Sequence, residues 1–304
     1  MTPERFLLFG ISSPVGQALQ ALTQTDAWPV SWTLCAPSRA ACDIANPAQL
    51  RGFIQDTAPS LILNAAEMSD IAKAEANEAA AMAVNFHAPA QMAAQASVLD
   101  VPMIQLSTDL VFDGRQAAPY TPDDKMNPLS TYGGSKMMGE EALRHELAWH
   151  VIVRSSGVFS AVKAPQNPLT RLLGQLDGEG PLRLPVDRFF APTYAPDLAR
   201  ALVHIAQELL GGKVDGFGTY HFCGTPALSV YDFGCTVRDI YAIRTGRGPT
   251  LTATMSSEID SPLRDPLRTA LDCRKTQERY GLAQPDWHEG LGEAIAARQN
   301  TKDK

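Results

Sequence analysis

The chain has 304 residues, of which 45% are hydrophobic and 19% charged, with a net charge of −7 and a mean hydropathy of −0.12. That length supports one large α/β domain or two modest ones, with a core that needs no disulfide or metal staple. The acidic balance and the lack of a lysine/arginine block argue against nucleic acid or an anionic membrane as the main partner.

No apolar run approaches the roughly 18 residues a spanning helix needs. Phe6-Leu7-Leu8-Phe9 is too short for a signal-peptide core. Cys35, Cys42, Cys223, Cys235 and Cys273 form an odd set without CxxC spacing, and the histidines form no HExxH or HxxxH cluster. These features point to a cytoplasmic globular protein with free thiols and no structural zinc.

Arg5 to Gly10 reads as a buried strand, followed by a turn and a helical pattern through Leu19 and Leu22. Trp32 to Cys35 is a second strand. Asn46-Pro47 opens a helix, with asparagine as N-cap and proline in the first turn. Leu61 to Leu63 is a third strand. An alanine-rich stretch from about Ala72 to Leu99 predicts a long helix broken or kinked near Pro89. Met103 to Leu106 and Val151 to Val153 are further strands, with a helix from about Lys136 to Leu147 between them. Ser229 and Asp232 read as a cap opening a helix through Ile240, and Lys302-Asp303-Lys304 as a frayed tail.

Strands that are continuously apolar and alternate with helices predict a doubly wound parallel Rossmann sheet covered on both faces. The cofactor domain is expected over residues 1–160, rejoined by about 186–212. A smaller, interleaved α/β substrate part takes the rest of 161–304.

The turn after the first strand is the first candidate site. Gly10 and Gly16 have the outer spacing of a GxxGxxG phosphate loop, with Ser13 in the middle place, so Ser12, Ser13 and Val15 join them as candidate pyrophosphate contacts. An ordinary tight turn has the same look, and the position at the first strand of a βαβ series favours the nucleotide cradle. At the end of the second strand, NAD-selective folds place an acid on the ribose 2′-hydroxyl. Here Ser38 and Arg39 stand instead, which suits a 2′-phosphate and NADPH. A solvated surface arginine is the alternative, and NADH stays open.

Tyr132 and Lys136 lie four apart in a YxxxK run and share a helix face. A cation beneath the phenol is expected to draw the tyrosine pKa down from about 10 and make it a proton donor. Ser107-Thr108-Asp109 closes the preceding strand, at the carboxyl end where ligands of open parallel sheets bind.

Ser107-Thr108-Asp109-Leu110-Val111-Phe112-Asp113-Gly114, Pro128 and the YxxxK run resemble the extended short-chain dehydrogenase/reductase family, and within it the dTDP-4-dehydrorhamnose reductase branch. Asn64-Ala65-Ala66, Lys73-Ala74-Glu75, Val84-Asn85, Arg154-Ser155-Ser156, Pro192-Thr193, Leu271-Asp272 and Pro285-Asp286-Trp287 follow in that family's order. The resemblance implies reduction of the 4-keto group of a nucleotide-activated, dTDP-linked 6-deoxy sugar. Thr108 would hold the carbonyl oxygen, Tyr132 would donate the proton, and Lys136 would bind the nicotinamide ribose. Asp43 and Ile44 would lie near the adenine, and Ala65 and Ala66 along the cofactor.

By the same resemblance, Met68, Thr108, Asp109, Gly157 and Phe190 face the sugar. Several of these positions depart from the family pattern. Met68 replaces an aromatic or histidine, Ala72 an aspartate, and Gly157 a tryptophan. Asp187-Arg188-Phe189-Phe190-Ala191-Pro192-Thr193 puts Phe190 where a glycine is usual, and Arg264-Asp265-Pro266 stands for an Arg-Arg-Pro run. Losing a tryptophan opens space and gaining a phenylalanine fills it, so the exact sugar is left open. Ala18 stands where some members carry an acid for a dimer-bridging magnesium, so no metal is expected. The chain is expected to be a monomer or homodimer. Two other readings exist on the same fold: a non-catalytic, dinucleotide-binding regulatory subunit, and an epimerase or dehydratase. Asp109-Leu110 lacks the second acid that dehydratases commonly carry.

Overall fold

In the computed structural model the first half of the chain alternates strand and helix. Strand β1 (Glu4–Phe9) is followed by helix α1 (Pro14–Leu22), β2 (Trp32–Cys35), α2 (Pro47–Thr57) and β3 (Leu61–Asn64). Then α3 (Ile71–Ala76), α4 (Glu78–Met82), a π turn (Ala83–His87) and α5 (Ala88–Leu99) lead to β4 (Met103–Thr108), α6 (Thr131–Glu146) and β5 (His150–Ser155). The second half adds β6 (Val158–Phe159), α7 (Pro168–Leu176), β7 (Leu182–Pro185), β8 (Phe189–Phe190), β9 (Thr193–Tyr194) and α8 (Ala195–Leu210). It ends with β10 (Gly218–His221), β11 (Leu228–Ser229), α9 (Val230–Thr245), β12 (Leu251–Thr254), α10 (Arg274–Tyr280) and α11 (Trp287–Lys302). The structure describes residues 4–164, 167–178, 180–212, 214–246, 248–259 and 265–302, so Arg264 and the terminal Asp303-Lys304 lie outside the described residues.

Six strands form one parallel sheet in the order β10-β5-β4-β3-β1-β2. Its strands are apolar on both faces because both are covered. Phe6 and Leu8 of β1 pack with α1 and α8 on one side, while Leu7 and Phe9 pack with α2, α5 and Leu143 of α6 on the other. A separate core joins α7, α9 and α11 around Leu173, Phe233 and Trp287. No helix among the described residues is long and apolar enough to cross a membrane. All five cysteines are free thiols.

The caps read from sequence do form. Asn46 Oδ1 accepts from the Ala48 and Gln49 amides, and Ser229 Oγ accepts from Asp232 N. The long alanine-rich helix does not. It divides at Asn77, whose side chain caps α4 by accepting from Ala80 N, and then runs on through the π turn into α5 with right-handed helical backbone at Met82, His87 and Ala88. The irregularity expected near Pro89 is this π turn in the residues just before the proline, whose missing N–H and ring disturb the preceding turn. Helix α6 begins five residues before Lys136. Ser130 Oγ accepts from Gly133 N, and the Glu75 carboxylate accepts from both Thr131 N and Thr131 Oγ1. That start takes in Tyr132, as the YxxxK spacing requires of a shared helix face. Strand β10, absent from the sequence reading, is a four-residue edge strand of mixed polarity, which periodicity cannot distinguish from loop.

Candidate active site

Strands β2 and β3 flank β1, so the chain leaves β1 in one direction and returns on the other side. A ligand crevice opens at such a switch point. Gly10 ends β1 with φ +93°, and a Cβ there would fall 2.4 Å from the Ala65 carbonyl carbon and the Ala66 nitrogen. A Cβ on Gly16 would fall 2.2 Å from the Gly10 carbonyl oxygen. Both glycines are therefore required by close backbone approach. Ser13, the departure in the middle of the loop, is the N-cap of α1: its Oγ accepts from Gly16 N at 2.9 Å. It stabilises the helix start in place of a third glycine.

Around this turn lie the other candidate cofactor residues. Val15 occupies the first turn of α1, and the Ser12 carbonyl accepts from Gln17 Nε2. Ser38 closes a turn after β2, its carbonyl accepting from the Ala41 and Cys42 amides, and Arg39 beside it is exposed. The Asp43 carboxylate accepts from Ala45 N, and Ile44 packs on the core beneath α2. Buried Asn64 fixes the Ala65-Ala66 turn, accepting from Ala66 N at 3.0 Å and donating to Gln105 Oε1 at 2.9 Å. The tight β1 turn and the α1 N-terminus can hold the pyrophosphate of a dinucleotide, and Arg39 stands exposed after β2.

Thr108 at the end of β4 and Tyr132 and Lys136 in the first two turns of α6 converge at the carboxyl edge of the sheet. All three are buried. Thr108 lies near enough to the Tyr132 phenol to lower its pKa. Lys136 Nζ donates to the Leu106 carbonyl at 2.8 Å. A fourth group completes the cluster: Glu67, in the loop after β3. Its Oε2 accepts from the Tyr132 hydroxyl at 2.9 Å and lies 3.2 Å from Lys136 Nζ.

This corrects the expected electrostatics. Tyr132 is not drawn down by Lys136. Burial pushes its phenol well above the ordinary value, and the Glu67 carboxylate adds to the rise by its charge and by accepting the phenol proton. Thr108 works in the opposite direction and Asp109 in the same one. Asp109 is itself buried. Its carboxylate accepts from Ser156 Oγ at 2.7 Å and Thr108 Oγ1 at 3.2 Å, and burial raises its pKa. It orients the Thr108 hydroxyl from within the protein.

Two further residues hold the cluster. Buried Asn85, from the π turn, accepts from Met68 N, donates to Met68 O, and donates to Ser135 Oγ of α6. Buried Glu140 accepts from Ser107 Oγ at 2.6 Å and from Arg154, tying β4 and β5 to α6. Burial alone would raise its pKa, but bonding to Arg154 with the charges of Arg154 and Arg144 holds it below the usual range. Sequence reasoning missed Glu67 and Glu140 as parts of the site. An acid directly after Ala65-Ala66, and one four residues past Lys136, were the signals available.

On the candidate sugar side, Met68 packs against the small core of Ile71, Ala74, Ala81 and Tyr132. Exposed Ala72 leaves the capping of α3 to Asp70. The Gly157 and Phe190 departures are coupled. Gly157 has φ +50°, and a Cβ there would fall 2.4 Å from the Phe190 ring, which also meets Phe233 edge-on. The ring thus covers the face a larger residue at 157 would occupy. Gly157→Ala should cost roughly 1–3 kcal/mol for the left-handed backbone, plus the clash with the ring. Urea denaturation checks this. Adding Phe190→Ala should recover the steric part and leave the backbone part.

The parallel sheet, the switch-point glycine turn and the buried Thr/Tyr/Lys cluster define an NAD(P)-dependent oxidoreductase of the extended short-chain dehydrogenase/reductase class. The family model described as the RmlD substrate binding domain matches residues 4–300, and the chain belongs to that family. A dTDP-4-dehydrorhamnose reductase of Sinorhizobium fredii is 32% identical over 294 residues, covering 96% of this chain and 97% of that protein. A crystal structure of a dTDP-4-dehydrorhamnose reductase from Clostridium acetobutylicum superposes with TM-score 0.87 at 25% identity, over 97% of this chain and 99% of the other. One from Bacillus anthracis in complex with NADP gives TM-score 0.84 at 21% identity, over the same shares.

Proposed function

We propose that the chain reduces the 4-keto group of a dTDP-linked 6-deoxy sugar, dTDP-4-dehydrorhamnose or a close analogue, with NADPH. The observation that carries this reading is the meeting of Thr108, Tyr132 and Lys136 at the carboxyl edge of the sheet, beside the Gly10 turn. The bound nicotinamide supplies the hydride. Thr108 turns its hydroxyl from Asp109 to hold the keto oxygen, and Tyr132 delivers its proton to that oxygen. Lys136, held by the Leu106 carbonyl, presents its ammonium to the ribose hydroxyls. Residues 161–304 outside α8 and β10, which belong with the main sheet, form the sugar-facing part, where the Phe190 ring over Gly157 reshapes the pocket. The reading carries a cytoplasmic location and a monomer or homodimer.

The purified chain should oxidise NADPH when dTDP-4-dehydrorhamnose is added. Tight NADPH binding with no turnover of any dTDP-keto sugar would sink this assignment and favour the regulatory subunit. Arg39 gives a second handle. If it holds a 2′-phosphate, Arg39→Ala should weaken NADPH binding by about tenfold or more, the value of a charge-assisted hydrogen bond, and leave NADH binding unchanged by calorimetry.

A further inference from the structure

We propose that Glu67 is a positioning residue for proton donation: its carboxylate, set between the Tyr132 phenol and the Lys136 ammonium, keeps Tyr132 in its protonated form. This rests on the reductase reading above. One carboxylate oxygen serves both partners, at 2.9 Å from the phenol oxygen and 3.2 Å from Nζ. The loop that carries it is fixed on both sides. Ala65 N donates to the Phe9 carbonyl, Asn64 accepts from Ala66 N, and Asn85 bonds both backbone groups of Met68. The Glu67 side chain is 29% exposed, so it joins the buried phenol to solvent.

The charges that face Tyr132 come from every neighbouring element. Glu67 approaches from the β3 exit, Asp109 from the β4 exit and Lys136 from α6. On α3, Asp70 and Lys73 pair with each other at 3.6 Å, and Glu75 is bonded to Thr131; Glu78 lies on α4. Among the described residues, Lys136 is the one cation recorded in contact with the cluster, and it is engaged by Glu67 and the Leu106 carbonyl. Its field is therefore largely neutralised before it reaches the phenol.

In the reduction, the Tyr132 O–H bond breaks as an O–H bond forms on the sugar oxygen, with the hydride supplied by the reduced nicotinamide. The phenolate left behind takes its proton back from water, and a carboxylate beside it favours that return. Reduction uses the phenol and the reverse oxidation uses the phenolate. Glu67 thus sets the site for reduction over a wide pH range and moves the alkaline loss of reductase activity upward.

Glu67→Gln keeps the shape and an acceptor for the phenol but removes the charge. Tyr132 ionisation is read in the full-length protein from tyrosinate absorbance, as the difference between each protein and its Tyr132→Phe counterpart. Tyr132 should ionise about one to three pH units lower in Glu67→Gln than in wild type, the effect of one like charge at this range. An unchanged ionisation overturns the proposal. So does the absence of any Tyr132 ionisation in Glu67→Gln up to alkaline unfolding, because the charge is then not what holds the proton. In a second arm, the alkaline limb of kcat for keto-sugar reduction should move down by a similar amount in Glu67→Gln. If the tyrosine titration shifts and no keto sugar is turned over, the role of Glu67 stands and the substrate reading fails.

Discussion

Tyr132→Phe should lower kcat for keto-sugar reduction by about 10²–10⁴-fold, the usual contribution of a positioned proton donor, with NADPH binding and thermal midpoint near those of wild type. The reason is local. The ring itself packs against Met68, Ile71, Ala74, Ala81 and Leu110, and phenylalanine keeps that contact. What disappears is the hydroxyl that donates to Glu67. Lys136 keeps the Leu106 carbonyl and Glu67 as partners, so no buried charge is left alone. Steady-state kinetics with calorimetric NADPH binding separates the two effects. A Tyr132→Phe protein that reduces keto sugars at the wild-type rate would remove Tyr132 from the chemistry altogether.

The largest stability loss is expected at Arg154, which never touches the cleft. It is fully buried at the end of β5 and donates to Glu140 through Nε and Nη2, at 2.9 and 2.7 Å. Its Nη1 donates to the Pro122 carbonyl and meets His221 Nε2, and the guanidinium lies 5.1 Å from the centre of the Phe112 ring. Burial first, then the Arg154 charge, lowers His221 to about 3 and keeps it neutral beside the guanidinium. Arg154→Met leaves Glu140 buried with only partial compensation from Arg144, and should cost about 3–5 kcal/mol in urea denaturation. The double variant Arg154→Met/Glu140→Leu should recover much of that loss, because the pair's desolvation cost vanishes with it. Activity should suffer beyond the loss of folded protein. Ser107, next to Thr108, is anchored on the same Glu140 carboxylate, so a free Glu140 loosens β4 against α6.

Both predictions concern groups that the linear order of residues treats very differently. Tyr132 and Lys136 are four apart, and the spacing alone puts them on one helix face. Gly10, Gly16 and the Asn46 and Ser229 caps are equally local. Each is a requirement of one turn or one helix start, written within a few residues. The continuously apolar strands could be read for the same reason, since a strand buried on both faces must be apolar at every position. The doubly wound sheet and its cofactor turn were therefore open to reading before any coordinates.

The identity of the partners across the cleft was not. Glu67 reaches Tyr132 from 65 positions away, and its place directly after Ala65-Ala66 points to the cofactor edge without naming its partner. Local spacing correctly paired lysine with tyrosine, yet missed the carboxylate that neutralises the lysine and reverses its expected effect. Phe190 over Gly157 is a similar case: two departures that look independent in order along the chain are one packing event in space. Strand β10 joins the sheet because β5 offers an unpaired edge, and its own residues carry too little hydrophobic pattern to announce it. Backbone conformation and burial pattern follow from short-range sterics and the hydrophobic period, which the chain carries in its order. Charge balance and pocket shape depend on which distant side chains the fold brings within a few ångströms, and so they emerged only once the chain was folded.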